Sequence, residues 1–109
     1  MEKNLVYTEL LDIYKGLLTE KQAEAMEYYY DQDYSLSEIS EIMDISRQGV
    51  RDSIKKAERE LFFFEEHLGL VARDAAVREA GERLLTLPLE GDARQAAEKL
   101  LAAALGENA

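Results

Sequence analysis

The chain has 109 residues, 47% of them apolar, with one Pro, no Cys and no Trp. That length suits one domain, or a small domain with an appendage. The absence of Cys excludes a disulfide framework and a thiolate metal site, and fits a reducing cytoplasm. No basic run leads from Met1–Asn4 into an apolar segment, and no apolar run approaches about 18 residues, so neither a signal peptide nor a membrane insertion is expected.

The formal net charge of −10 is unevenly spread: residues 1–46 carry −8, residues 47–59 carry +3 and residues 60–109 carry −5. An acidic chain is a poor nonspecific binder of nucleic acid, because counterion release needs cationic surface. Its one basic island therefore bears on function.

In chain order, Asn4 is a cap candidate for a first helix over roughly 5–15, with Leu10, Leu11 and Tyr14 inward and Gly16 at its end. Thr19 and Gln22 have capping-box spacing and open a second helix to about Asp31. Ala23, Met26 and Tyr30 form its predicted inward stripe, with Tyr29 at the border. Tyr28, Tyr29, Tyr30 and Tyr34 read as core edge, since Glu27, Asp31 and Asp33 beside them oppose stacking on nucleic acid.

Ser35 and Glu38 repeat the capping-box signature before Leu36, Ile39 and Ile42. Ile45 follows in a tight connection, and Ser46 caps a further helix whose Val50, Ile54, Ala57 and Leu61 recur at helical spacing. Two capped helices one short turn apart predict a helix-turn-helix, with Leu36, Ile39, Ile42, Ile45, Val50 and Ile54 buried together.

The second helix of that motif carries Arg47, Arg51, Lys55 and Arg59 four apart, with Gln48, Asp52 and Lys56 beside them. This is the candidate nucleic-acid surface, DNA or RNA. Arg47, Gln48 and Arg51, in the first turns, are expected at base edges, and Lys55 and Arg59 at phosphates. An acidic protein surface is the competing partner.

Leu61, Phe64 and Leu68 continue the inward stripe, whereas Phe62 and Phe63 lie off it and need separate cover, from the C-terminal segment or a second subunit. Phe62, Phe63 and Leu70 are the expected partner interface, most simply of a homodimer. His67, the single histidine, lacks partners at ligand spacing, so no metal is expected. Gly69 ends the helix. Leu70, Val77, Ala80, Leu84 and Leu87 predict an amphipathic helix closed by Pro88. Asp92 is the cap candidate for a last helix to about Leu105, with Ala93, Ala97, Leu100 and Ala104 on its apolar stripe.

There is no Gly-rich phosphate loop, no nucleophile with a nearby base and no metal-ligand cluster, so neither an enzyme nor a cofactor is expected. The fold expected is all-α: a helix-turn-helix bundle over 1–68 and an amphipathic helical tail over 69–109.

Leu18–Gln22, Tyr29–Ser40, Ile45–Val50 and Asp52–Glu58 together resemble the YlxM family over about residues 1–70. These are small helix-turn-helix proteins of Gram-positive bacteria, similar to region 4 of sigma factors. The resemblance implies a regulatory protein connected to the signal recognition particle and its GTPase, Ffh, whose gene commonly neighbours the family's own. It also admits an accessory factor that docks on that GTPase without specific DNA binding. Two positions depart from the pattern. Ser40 stands where such motifs often carry Ala, and Asp44 stands where the turn often carries Gly.

Overall fold

The computed structural model describes residues 1–107, in which every α-helix or strand element is an α-helix. The helices are α1 (Val6–Tyr14), α2 (Glu20–Met26), α3 (Leu36–Met43), α4 (Arg47–Leu68), α5 (Leu70–Leu85) and α6 (Gly91–Ala104). They fall into two compact units, Met1–Gly69 and Leu70–Ala109.

In the first unit α1, α2 and α3 all pack on α4. Its core is Leu10, Leu11, Tyr14, Leu18, Ala25, Met26, Tyr29, Ile39, Val50, Ile54, Ala57 and Leu61. Both predicted capping boxes form: Thr19 and Ser35 each accept the third helical N–H, and Gln22 and Glu38 each reach back to the cap N–H. The Ser46 hydroxyl accepts from the Gly49 N–H at 2.9 Å. At the N-terminus the helix starts one residue later than expected. Leu5 occupies the cap position, and Asn4 Oδ1 instead accepts from the Val6 N–H at 3.1 Å.

Three predicted stripes are corrected. In α2 the buried residues are Gln22, Ala25 and Met26, followed by Tyr29, while Ala23 and Tyr30 are half-buried. This set keeps helical spacing but is displaced by one residue. Gln22 was hidden from an apolar pattern because it is polar, yet its amide oxygen is satisfied by the Thr19 N–H at 3.0 Å. In α3 only Ile39 is buried; Leu36 is half-buried and Ile42 is 49% exposed. Steps of three residues drift by about 60° each, so the two ends of that stripe diverge by about 120° and only its centre faces α4. In α4, Leu61 is buried and Phe64 half-buried, but Leu68, in the last turn, is exposed.

After Met26 the helix widens into a π-helical turn over Glu27–Asp31, with the Gln32 N–H on the Glu27 carbonyl. Here Tyr30 meets α4. Its hydroxyl donates to Glu58 Oε2 at 2.5 Å, and Glu58 is itself buried. Burial first, and then that hydrogen bond and the Glu58 charge, push the Tyr30 hydroxyl above its ordinary value of 10.0. The Tyr14 hydroxyl donates to Glu65 Oε1 at 2.6 Å, a second tie onto α4.

The second unit is a hairpin of α5 and α6. Gly81 leaves room for Leu101 of α6, since a Cβ there would lie 2.4 Å from Leu101 Cδ1. Val77, Ala80, Leu84, Ala97, Leu100 and Ala104 line the groove around that contact. Asp92 is not the cap of α6. Glu90 holds that position without a side-chain bond, Gly91 takes the positive φ of 54°, and Asp92 falls in the first turn.

Candidate nucleic-acid interface

The turn between α3 and α4 sets the angle of the candidate surface. Asp44 adopts the left-handed conformation, φ 54° and ψ 47°, as its place in the turn requires. Asp tolerates this conformation better than most residues but less well than Gly. The N–H groups of Asp44 and Ile45 both reach the Ser40 carbonyl. The Ser40 hydroxyl donates in return to the Ile45 carbonyl at 2.6 Å. Both departures from the helix-turn-helix pattern thus meet in one turn, and Ser40 gives it a bond that Ala cannot make.

Of the residues predicted to be buried around this turn, Ile39, Val50 and Ile54 are fully buried, and Ile45 is half-buried. They hold α4 against α3 along one arc. At about 100° per residue, Arg47 and Arg51 stand about 60° and 100° round from Val50. Lys55 follows at about 140°, Gln48, Arg59 and Asp52 cluster around the pole at about 160–200°, and Lys56 lies at about 240°. The basic stripe is therefore slanted: its start borders α3 and its end crosses the exposed pole.

The side chains follow that placement. Arg47 Nη1 donates to the Ser37 hydroxyl of α3 at 3.3 Å. Leu36, Arg47, Gln48 and Arg51 line one shallow surface depression between the two helices. Gln48 Nε2 donates to Asp52 Oδ1 at 2.8 Å. Lys55 Nζ lies 3.7 Å from Glu58 Oε1, so its charge is drawn toward the tyrosine-bound carboxyl. Among the described residues, Arg51, Lys56 and Arg59 enter no ion pair, and all three are exposed. The i,i+4 spacing groups Lys55 with the open cations, but Glu58, three residues on and buried, sets it apart.

Toward its C-terminus α4 exposes a different chemistry. Phe62 and Phe63 are 58% and 55% exposed, the Phe63 ring lies 4.1 Å from the His67 ring, and His67 Nδ1 meets the Phe63 carbonyl at 2.9 Å. Leu70, the third residue of the expected interface, is half-buried. Among the described residues, no group of three His, Asp or Glu is arranged to hold a metal, and no helix is long and apolar enough to cross a membrane.

A capped short helix, a left-handed turn and a longer capped helix with an open basic face define a helix-turn-helix protein. The comparison with known families agrees, and the chain belongs to the UPF0122 family. The family model described as "Putative helix-turn-helix protein, YlxM / p13 like" matches residues 1–100. The chain is 62% identical over 69 residues to a UPF0122 protein of Thermoanaerobacter sp. (strain X514), an alignment covering 63% of this chain and 59% of that protein. It is 52% identical over 85 residues to one from Caldanaerobacter subterraneus subsp. tengcongensis, covering 77% and 73%. A relative from Halalkalibacterium halodurans is 41% identical over 102 residues, covering 94% of this chain and 91% of its own length.

Proposed function

We propose that this protein is a non-enzymatic regulator that binds nucleic acid through the exposed face of α4 and takes part in the signal recognition particle pathway. The observation that carries the binding proposal is the open cationic set Arg51, Lys56 and Arg59 on the helix that follows the turn. A helix presented in this way fits the major groove of duplex DNA, which A-form RNA closes to side chains. The arc positions redistribute the expected roles. On this reading Gln48 and Asp52 would face the groove floor with Arg51 beside them, and Arg47 with Ser37 would meet a phosphate at the groove edge. Lys56 and Arg59 serve phosphates further along. The link to the particle rests on the family resemblance. A second copy covering Phe62 and Phe63 completes the proposal, because a homodimer would present two such helices.

One observation favours a second reading, in which the protein is an accessory factor docking on the particle's GTPase. The basic island carries only +3 within a chain of −10, and Lys55 is already engaged. Binding of the protein to duplex DNA, to the particle's RNA and to the GTPase, each titrated with salt, separates the readings. Salt-sensitive binding to DNA alone supports the first. Binding to the GTPase with negligible affinity for either nucleic acid supports the second.

A further inference from the structure

The Gln48–Asp52 pair holds an acidic residue at the centre of a surface that otherwise recruits phosphate, and its geometry suggests what that residue does. A Gln amide has one acceptor oxygen and two N–H donors. Asp52 Oδ1 takes one donor at 2.8 Å, which fixes which end of the amide is oxygen and which is nitrogen. That bond leaves Gln48 Oε1 and the second N–H for another partner, on an exposed side chain. An acceptor and a donor side by side match adenine, whose major-groove edge offers the N6 amino donor and the N7 acceptor. Guanine offers two acceptors there, so Oε1 would face the O6 of guanine, acceptor against acceptor. Both side chains are exposed and straddle the pole of α4 opposite Val50, on the first turns.

We propose that Asp52 is a positioning residue that turns Gln48 to read adenine in duplex DNA. The inference rests on the DNA-binding reading above and adds its base preference. Asp52 then acts in two opposed ways. Its charge repels phosphate and weakens binding to every duplex, while its hydrogen bond sharpens discrimination at one base pair. Without it the amide is free to turn over and present N–H where oxygen is needed. A helix-stabilising i,i+4 pair with no role in recognition would not couple these two effects.

Selection of bound duplexes from a randomised pool, followed by affinity measurements on the enriched sequence and on generic duplex, tests this. The wild-type protein should enrich adenine at one position by about 5- to 150-fold over the other bases, the range of one bidentate contact. Gln48→Ala should lose that preference. Asp52→Ala should lose it at the same position while binding generic duplex more tightly. Asp52→Asn removes the charge but can pair with either end of the Gln48 amide, so it should weaken the preference while also tightening generic binding. If Asp52→Ala retains the adenine preference, or Gln48→Ala selects the same sequences as wild type, the positioning role is wrong. If the wild type binds duplex in a salt-dependent way but enriches no adenine, the interface stands and this inference falls. If the wild type binds no duplex at all, the DNA-binding reading fails and the inference with it.

Discussion

Ile39 and Ile54 are where single side chains decide whether the surface exists at all. Both are fully buried, one on each helix of the turn. Truncating either to Ala should lower stability by about 2–5 kcal/mol, through lost burial and the cavity left behind. Thermal melts check this, and an unchanged midpoint would remove the residue from the core. Tyr30 gives a second, pH-linked expectation. Its hydroxyl is held above its ordinary value by burial and by Glu58, so the folded state retains a proton that the unfolded chain releases near 10.0. The stability this contributes is complete below that value and is lost as pH rises through the folded-state value. Denaturant unfolding from pH 9 upward should show a decline in stability that Tyr30→Phe reduces. Tyr7 and Tyr28 are raised as well, so part of the decline should remain.

Between residue and fold stands the turn joining α3 to α4. Ser40→Ala should cost about 1 kcal/mol, the net worth of its bond to the Ile45 carbonyl, and should weaken ligand binding by more than it weakens folding if the bond sets the pitch of α4. Chemical denaturation of the variant beside a binding curve checks both. This element was largely legible in the sequence, because capping is a local signal: Thr19, Ser35 and Ser46 accept the bonds their spacing predicts. Burial was less legible. Gln22 and Glu58 are buried polar residues whose partners, Thr19 and Tyr30, make burial tolerable, and an apolar pattern cannot register either. Ile42 and Leu68 sit on apolar stripes yet are exposed, because a stripe says which side of a helix can be buried and not how far its neighbours extend. For the candidate site the same distinction holds. The residue set was visible as a basic island, whereas the engagement of Lys55 by Glu58 and of Gln48 by Asp52 depends on three-dimensional placement.

For the molecule as a whole, charge and exposed apolar surface pull in different directions. The net −10 opposes close approach of two copies, while Phe62, Phe63 and Leu68 leave apolar surface open on the end of α4. Screening the charge should therefore favour association. Sedimentation at roughly tens of micromolar is expected to show a dimer whose population rises with salt as the charge is screened. Phe62→Ser with Phe63→Ser should return it to monomer. A wild-type monomer at every salt concentration would assign those phenylalanines to some other contact. The same screening acts with opposite sign on nucleic acid, where salt weakens binding by competing for the phosphates.

The exposed face of α4 is proposed to meet nucleic acid, and a salt titration decides whether it does. Duplex DNA binding is measured across salt concentrations for the wild type and for a variant carrying Arg51→Glu and Arg59→Glu. These two are chosen because both are exposed and outside any ion pair among the described residues, whereas reversing Lys55 would set a carboxylate against Glu58 and confound binding with folding. The wild type should lose affinity linearly on a log–log plot, and the variant should bind far more weakly, with a slope shallower by about 0.9 for each phosphate contact removed. Equal affinity and equal slope for the two proteins, with the variant still folded, would contradict the claim and leave the basic stripe of α4 as solvated surface.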